Sequence, residues 1–396
     1  MKPECVFYVR FPREDCDALL AEGIEDFFLV DTGASVDWEA LNTWLTAQRD
    51  WVFGWVGYDV RRSVERFATE HITPSTFPQL LLVRPKNLFK LKGDSIEVVK
   101  GEWSSELECW LDMAPRGASD GIELKPLVTR EDYDQQFASL MHEIAVGNVY
   151  ELNYCLPFEA HTRLNDPIAT WKKIYARTQA PFATFARFNQ FHVLCASPER
   201  YLKRIGNEVV SQPIKGTVRR GSTPLEDEQL KLELVRSKKE RAENVMIVDL
   251  VRNDLSRCAN RGSVQVEELF GVHSFKTVHH LVSTIRCTVQ EDTSWVDLIR
   301  ATFPMGSMTG APKVSAMNLI SSHESTERGI YSGSIGYIEP NGDFDFNVVI
   351  RSLQYDEASA HVSCHVGGAI TALCNAEAEY NECLLKVEAV LSALRG

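Results

Sequence analysis

One segment of the sequence places a carboxyl group and an amine where they could perform acid–base and nucleophilic chemistry. Glu199 lies in Ser197-Pro198-Glu199-Arg200, and Lys215 follows sixteen residues later in Gln212–Thr217. A carboxylic acid can deliver a proton to a leaving group, and a neutral lysine amine can attack carbon. Both residues follow apolar segments and lie near a proline that fixes the backbone. Because single glutamates and lysines are usually solvated surface charges, the pair alone favours catalysis only modestly.

Two pairs of glutamates, far apart in the sequence, could hold a cation. They are Glu240 with Glu243 and Glu379 with Glu382, and residues three apart share one face of a helix. Either pair alone is typical of a polar helix face. If the two helices meet, four carboxylates converge and require a cation, and all-oxygen ligation favours Mg2+. Lys386, four residues after Glu382, shares its helix face and could pair with a substrate carboxylate.

A glycine-containing loop, Phe303–Lys313, could bring backbone N–H groups close to a ligand. Its glycines permit close approach, and Pro312 resembles the start of a helix, whose free N–H groups can hold an anion. A structural turn before a helix is an equally good interpretation of this loop. Gly367-Gly368 is a second candidate for backbone contacts. His279-His280 lacks the spacing of metal ligands and indicates a hydrogen-bonding side chain.

The composition is that of a globular protein. The chain has 396 residues, of which 44% are hydrophobic and 24% charged, which favours two or three domains or one large α/β unit. The net charge of -13 argues against nucleic-acid binding. The charged N-terminal stretch argues against a signal peptide, and the sequence contains no apolar run long enough for a membrane span. Ten scattered cysteines without a Cys-x-x-Cys spacing indicate free thiols, so we expect a cytoplasmic enzyme.

The sequence divides into three regions. Residues 1–83 hold short apolar runs that predict strands with one or two helices between them. Residues 84–128 predict a loosely structured connection, with a hairpin turn at Lys92-Gly93-Asp94 and an exposed linker at 115–121. Residues 129–396 form the third region, in which helices and strands are mixed, and we expect an α/β (α+β) fold.

Within the third region, apolar periodicity predicts individual elements. A helix should begin after Thr129, where Asp132 completes a partial capping box. Further helices are predicted over residues 226–251 and 376–394. Strands are predicted over residues 149–156, 191–196, 282–289, 333–338 and 348–353.

Taken together, these segments resemble the chorismate-utilising enzymes, which include anthranilate synthase component I and the aminodeoxychorismate, isochorismate and salicylate synthases. The resemblance is dense from Cys195 to Lys386 and thinner over residues 129–194. The strongest matches are SPER at 197–200, PIKGT at 213–217, ERAENVMIVDLVRNDL at 240–255, FPMGSMTGAPK at 303–313 and EAEYNECLLK at 377–386.

The resemblance implies a fold and a reaction. The fold would be two large, roughly orthogonal β-sheets packed face to face, with helices outside and the active site between the sheets. Residues 1–83 would form the N-terminal lobe and residues 129–396 the chorismate-binding region. Lysine before Gly-Thr, here Lys215, is typical of the aminodeoxychorismate branch, where anthranilate synthases usually have alanine. The implied reaction converts chorismate and ammonia to 4-amino-4-deoxychorismate, for 4-aminobenzoate and folate synthesis.

The resemblance also implies residue roles. Lys215 would add at C2 of the ring while Glu199 protonates the departing C4 hydroxyl. Lys215 must then be a neutral amine, so we expect burial or a nearby cation to lower its pKa. Glu243 and Glu382 would hold Mg2+ directly, and Glu240 and Glu379 through waters. The residues implied to orient the substrate are His280, Ser307, Tyr331, Arg351, Gly367, Gly368 and Lys386.

The sequence departs from the family pattern at a few positions. Glu151 stands where water-using members carry a lysine base and aminating members usually carry glutamine. Ala369, Leu373 and Cys383 replace residues that are usually glycine, aspartate and threonine.

Two alternatives to the aminodeoxychorismate reaction stay open. One is anthranilate synthase component I, which serves tryptophan synthesis. The other is a non-catalytic relative that binds chorismate or an amino acid. None of the ten cysteines lies in a Gly-x-Cys-x-Gly segment, so we expect a separate glutamine amidotransferase subunit to supply the ammonia.

Overall fold

Two large antiparallel sheets carry most of the chain in the computed structural model, which describes residues 4–65, 73–117 and 120–395. In chain order the strands are β1 (Cys5–Arg10), β2 (Ala18–Glu22), β3 (Asp26–Val30), β4 (Val52–Val56), β5 (Leu80–Arg84), β6 (Asn87–Lys92), β7 (Ser95–Lys100), β8 (Lys125–Pro126), β9 (Glu151–His161), β10 (Phe182–Phe188), β11 (Phe191–Ser197), β12 (Arg200–Ile205), β13 (Glu208–Gln212), β14 (Ile214–Arg219), β15 (Gln265–Ser274), β16 (Val278–Thr288), β17 (Gly310–Ala311), β18 (Ser334–Ile338), β19 (Phe344–Asn347), β20 (Ser352–Asp356) and β21 (His361–Thr371).

Helices lie between the strands in sequence. They are α1 (Trp38–Ala47), α2 (Arg61–Val64), α3 (Arg130–Ala145), α4 (Pro167–Thr178), α5 (Pro224–Arg236), α6 (Lys238–Ser256), α7 (Trp295–Thr302), α8 (Lys313–His323) and α9 (Ala376–Arg395). Three short 3-10 segments cover Tyr58–Val60, Ser105–Trp110 and Gly306–Met308.

Each sheet contains strands from both halves of the chain. The first sheet has 11 strands in the order β17-β9-β21-β20-β11-β10-β1-β2-β6-β7, with β8 beside β9. The second sheet has 10 strands in the order β14-β16-β13-β12-β19-β18-β4-β5-β3, with β15 beside β16. The N-terminal strands therefore extend the same sheets that the C-terminal strands build.

Three hydrophobic cores show how these layers are stacked. The middle core joins side chains from both sheets, among them Phe7 of β1 and Trp55 of β4, so the two sheets pack against each other. A second core lies between the first sheet and helices α3, α4 and α9. A third lies between the second sheet and helices α1, α6 and α7. The expected pair of sheets with helices outside is confirmed.

Strand β1 illustrates why strands in this fold are apolar on both faces. Phe7 and Val9 enter the core between the sheets, whereas Tyr8 between them enters the core under the helices. Successive side chains of a strand point to opposite faces, and here both faces are covered. The uninterrupted apolar run therefore follows from the layered architecture.

The chain passes from one sheet to the other at two adjacent places. Residues 197–200 connect β11 of the first sheet to β12 of the second, and residues 348–351 connect β19 back to β20. The N–H of Val348 donates to the carbonyl of Glu199 at 3.0 Å, so the two crossings lie side by side. The single strand expected over residues 348–353 is wrong, because the backbone leaves one sheet there and turns through Arg351, whose φ is 54°.

Two other expectations about local structure need correction. The single helix predicted over residues 226–251 is two helices, because Ser237 ends α5 and then caps α6 by accepting from the N–H of Glu240. The segment 84–128 is not loose throughout, since β6 and β7 form the expected hairpin and Trp110 is buried in the core. Residues 118 and 119 lie outside the described residues. The division of the chain at residues 83 and 128 stays a prediction.

Two of the predicted helix starts are confirmed. Thr129 caps α3 by accepting from the N–H of Asp132, and the last helix begins at Ala376 as expected. All ten cysteines are free thiols. Within the described ranges, no helix is both long enough and apolar enough to span a membrane.

The core between the sheets provides a direct test of this architecture. The Phe53 side chain is fully buried there and contacts the rings of Phe7 and Tyr337. We expect Phe53→Ala to lower the free energy of unfolding by about 3–5 kcal/mol, because the change leaves a cavity between two sheets that cannot collapse. Leu373→Ala, at a side chain that is 78% exposed, should change it by less than about 0.5 kcal/mol. Urea denaturation measures both, and equal effects would contradict the layered core.

Candidate active site

A cavity of about 730 Å³ lies beside the two crossings, between the sheets and helices α6 and α9. Twelve of the thirteen predicted site residues line it, which are Glu199, Lys215, Glu240, Glu243, His280, Ser307, Tyr331, Arg351, Gly367, Glu379, Glu382 and Lys386. The structure therefore brings together residues that are up to 187 positions apart in the sequence. Their catalytic and binding roles stay predictions.

The exception is Gly368, which does not line the cavity. Gly367 and Ala369 line it, and in strand β21 the residue between them points to the other face. A Cβ atom at Gly368 would lie 3.2 Å from a carboxylate oxygen of Glu379. At Gly367 a Cβ atom would lie 2.5 Å from the amide oxygen of Asn153, so only glycine fits there without movement.

Glu199 is placed by the first crossing and is buried. Its N–H donates to the Ser197 hydroxyl at 3.1 Å, which fixes the turn, and only 4% of the residue is exposed. Burial raises the pKa of Glu199 to about 7, although hydrogen bonds from Ser307 and the Ile214 backbone and the charge of Lys215 lower it. A carboxyl group with this pKa holds a proton at neutral pH part of the time and can donate it.

Lys215 lies on β14 and forms a buried ion pair with Glu151. The Lys215 Nζ atom donates to Glu151 Oε1 at 2.5 Å, and the two side chains are 10% and 3% exposed. Glu151 starts β9, where its backbone pairs with β17 and β21, so the carboxylate is held rigidly. Its other oxygen is buried without a hydrogen-bond partner among the described residues.

The expected lowering of the Lys215 pKa is not found. Burial on its own lowers the pKa of Lys215, but the carboxylates of Glu151 and Glu243 together raise it above its usual value. The expectation does not hold in this structure because the sequence did not place Glu151, whose Oε1 atom lies 2.5 Å from Nζ, beside Lys215. As the structure stands, Lys215 is an ammonium, and it must lose a proton before it can act as a nucleophile.

Helices α6 and α9, which carry the two glutamate pairs, meet at Lys239. The Lys239 Nζ atom lies 2.7 Å from Glu379 Oε1, 3.9 Å from Glu243 Oε1 and 4.0 Å from Glu382 Oε2. Glu240 lies next to Gly216, where a Cβ atom would be 2.8 Å from a carboxylate oxygen and where φ is +84°. The sequence motif therefore needs glycine after Lys215 for two reasons, the left-handed backbone and the close carboxylate.

This acid cluster has the properties of a divalent cation site. Glu243 Oε1 is buried and has no hydrogen-bond partner among the residues that the structure describes. Burial raises the pKa of Glu243 to about 7 and also raises the pKa of Glu240. A divalent cation bound nearby would lower both pKa values again. Burial likewise raises the pKa of Glu382, but Lys386, 2.7 Å away, brings it below its usual value. An all-oxygen donor set with an unpartnered buried oxygen fits Mg2+.

Other residues that line the cavity are cationic or neutral. Burial, assisted by the charge of Arg351, lowers the pKa of His280 to about 3, so this imidazole is neutral and its Nδ1 atom lies 2.9 Å from the Thr217 hydroxyl. The Tyr331 ring stacks on His365 at 5.4 Å. Lys386 Nζ donates to the Gly367 carbonyl at 2.9 Å, which ties α9 to β21. These groups can bind a ligand that carries carboxylates.

Sequence reasoning missed Lys239, Thr217 and His365 as cavity residues. Lys239 directly precedes Glu240 and stands four residues before Glu243, a spacing that indicates a charge pair on one helix face. For the other two, only the fold brings them to the site. A separate group of close ligand atoms, Glu159 with His161 and His361, lies at the far ends of β9 and β21.

The hydrogen bond from Ser307 makes the Glu199 pKa testable. Ser307→Ala removes a donor that stabilises the carboxylate, so the pKa of Glu199 should rise above about 7 and more of the acid should be protonated at pH 7.5. A 13C NMR titration of side-chain-labelled glutamate, assigned with Glu199→Gln, measures the shift. Ser211→Ala, a buried serine of β13, is the control and should leave the pKa unchanged. An unchanged or lower pKa in Ser307→Ala would contradict this geometry.

Comparison with known proteins places the chain in a family. A family model described as chorismate binding enzyme matches residues 25–392. The chain is 46% identical over 274 residues to aminodeoxychorismate synthase, chloroplastic, of Arabidopsis thaliana. The aligned segment covers 68% of this chain and 29% of that protein. It is 42% identical over 267 residues to aminodeoxychorismate synthase component 1 of Escherichia coli (strain K12), which covers 67% of this chain and 58% of that one.

The fold is also that of a solved structure. Anthranilate synthase component I from Streptococcus pneumoniae TIGR4 superposes with a TM-score of 0.76 at 23% identity, covering 99% of this chain and 92% of that one. In the two aminodeoxychorismate synthases compared above, the segment that matches this chain spans less than two thirds of each protein's length. The family match, in contrast, covers almost the whole of this chain. This chain belongs to the chorismate binding enzyme family.

Proposed function

We propose that this chain is the component of an aminodeoxychorismate synthase that converts chorismate and ammonia to 4-amino-4-deoxychorismate. The observation that carries the proposal is the presence of Lys215 and Glu199 on one cavity, with the pKa of the Glu199 carboxyl at about 7. The names of the relatives support the same reaction. The product would serve 4-aminobenzoate and folate synthesis, and the enzyme would act in the cytoplasm.

Glu199 would act as the general acid. Hydroxide is a poor leaving group at neutral pH, so the C4–O bond of chorismate breaks readily only if a proton reaches the oxygen. Glu199 is buried and partly protonated near pH 7, and it would deliver that proton so that water departs. Acid catalysis of this kind contributes about 10²–10⁴ to the rate.

Lys215 would form the covalent intermediate. Its amine would attack C2, both conjugated double bonds of the ring would shift by one bond, and the C4–O bond would break as the oxygen takes the proton from Glu199 and leaves as water. The ammonium proton must first leave, and Glu151 Oε1, 2.5 Å from Nζ, is the nearest acceptor. An amine bonded at C2 blocks that carbon, which directs ammonia to C4 and disfavours the anthranilate reaction.

Ammonia would then complete the reaction. It would attack C4 as the C2–N bond to Lys215 breaks, and the lysine would leave as an amine that regains its proton. We propose that a glutamine amidotransferase subunit supplies the ammonia. The designation of the Escherichia coli relative as component 1 supports a partner subunit.

Glu243 and Glu382 would hold Mg2+ directly, and Glu240 and Glu379 through water. When bound, Mg2+ would anchor one substrate carboxylate and neutralise part of the acid cluster. The residues proposed to orient the substrate are His280, Ser307, Tyr331, Arg351, Gly367 and Lys386, which line the same cavity. Arg351 and Lys386 provide positive charges for the carboxylates, and neutral His280 can hydrogen-bond without adding charge.

Product analysis tests this function. The purified chain should consume chorismate in the presence of Mg2+ and ammonium, and 4-aminobenzoate should appear only when an aminodeoxychorismate lyase is added. Chromatography identifies 4-aminobenzoate, and fluorescence detects anthranilate. Formation of anthranilate, or no consumption of chorismate, would contradict the proposal.

The acid can be tested in the same assay. Glu199→Gln keeps the shape of the side chain but has no acidic proton, so its turnover should fall about 10²–10⁴-fold. The matched control is Glu208→Gln, a partly exposed glutamate on β13 outside the cavity, which should retain the wild-type rate. Equal rates for Glu199→Gln and the control would exclude Glu199 as the acid.

A further inference from the structure

Lys239 lies at the centre of the acid cluster. Its Nζ atom is within 4.0 Å of carboxylate oxygens of three glutamates, which are Glu243 of α6 and Glu379 and Glu382 of α9. Two of these acids are nearly inaccessible, since the side chain of Glu379 is 3% exposed and that of Glu243 is 8% exposed. One ammonium therefore links the two acidic helices.

Exposed lysine–glutamate ion pairs usually contribute little to protein stability, and one interpretation is that the ion pairs of Lys239 are of this kind. Two observations argue against that interpretation. Two of its partners, Glu243 and Glu379, are buried carboxylates, which are costly to leave without a counter-charge. The other two lysines of the cavity pair with acids other than these two, because Lys215 pairs with Glu151 and Lys386 pairs with Glu382.

The side chain of Lys239 also has a path away from the cluster. It is 35% exposed, whereas the side chains of Glu243 and Glu379 are only 8% and 3% exposed. A lysine has a flexible four-carbon stem and an ammonium that is easily hydrated, so it can turn into solvent when another cation takes its place beside the carboxylates. The cluster could thus exchange one cation for another without rearrangement of the backbone.

We propose that Lys239 is the resident counter-ion of this cluster and competes with the divalent cation for the carboxylates of Glu243, Glu379 and Glu382. The inference rests on the proposed magnesium site. A divalent cation among these oxygens would repel an ammonium only a few ångströms away, so the two cations exclude each other. Lys239 would preserve the meeting of α6 and α9 in the metal-free protein and would keep the metal exchangeable.

Calorimetric titration of the full chain with MgCl2, without chorismate, tests the competition. Lys239→Met removes the ammonium but keeps the stem, and we expect it to bind Mg2+ at least about tenfold more tightly than the wild type. Lys238→Met is the matched control, because Lys238 is the exposed neighbour on the same helix and carries the same charge. Its effect should be less than about twofold, since solvent and salt screen exposed charges.

Thermal unfolding gives a second readout. Without Mg2+, Lys239→Met should unfold at a lower temperature than the wild type, and saturating Mg2+ should raise its midpoint by more than it raises that of the wild type. If the Met variant does not fold, Lys239→Gln, which keeps a hydrogen-bond donor, replaces it in both measurements.

The outcomes separate this inference from the proposed function. Wild-type binding of Mg2+ with equal or weaker affinity in Lys239→Met overturns the competition and leaves the magnesium site intact. An equal gain in Lys238→Met also overturns it, because the effect would then be one of general charge. If the wild type binds no Mg2+ at all, both the proposed magnesium site and the competition are wrong.

Discussion

Charge balance inside one cavity is the constraint on which the rest of the site depends. Five glutamates line the cavity, and Glu151 lies just behind Lys215. Buried carboxylates repel one another, and each must be protonated, paired or bound to a cation. The structure shows the first two solutions: burial raises the pKa of Glu199 to about 7, and ion pairs join Lys215 to Glu151 and Lys239 to Glu379.

The fold creates this arrangement by passing the chain twice between two sheets at the same place. Residues 197–200 and 348–351 run side by side, which opens a gap between layers that are otherwise filled with apolar side chains. The first crossing holds Glu199 and the second holds Arg351. Lys215, on β14, and the acidic helices α6 and α9 then close the cavity from other directions. Rigid elements therefore position groups that loops alone could not hold together.

The sequence predicted much of this structure where local signals are strong. The cap at Thr129, the hairpin turn at Gly93 and the last helix follow from short-range patterns. The predicted helix over residues 226–251 missed its break because Ser237 looks like an ordinary polar residue in a helical pattern. The strand expected over 348–353 was wrong because an apolar run does not reveal that the chain changes sheets.

The sequence predicted which residues line the site better than it predicted their charge states. Twelve of the thirteen residues that the motifs indicated line one cavity. Gly368 was predicted but does not line the cavity, because the face to which a strand residue points depends on the strand's position in the sheet. The state of Lys215 could not be read from its own segment, since Glu151 lies 64 residues earlier and meets it only through sheet pairing. Strand pairing between distant segments determines which charged side chains come into contact, and local sequence patterns do not encode that pairing.

Detection of a covalent intermediate tests the central role of Lys215 most directly. The protein would be mixed with chorismate and Mg2+ without ammonia, quenched in acid and digested for peptide mass spectrometry. The peptide containing Lys215 should gain the mass of chorismate minus water, whereas the same peptide of Lys215→Ala should gain none. Amination of chorismate by a protein in which Lys215 is never modified, or by Lys215→Ala itself, would contradict it.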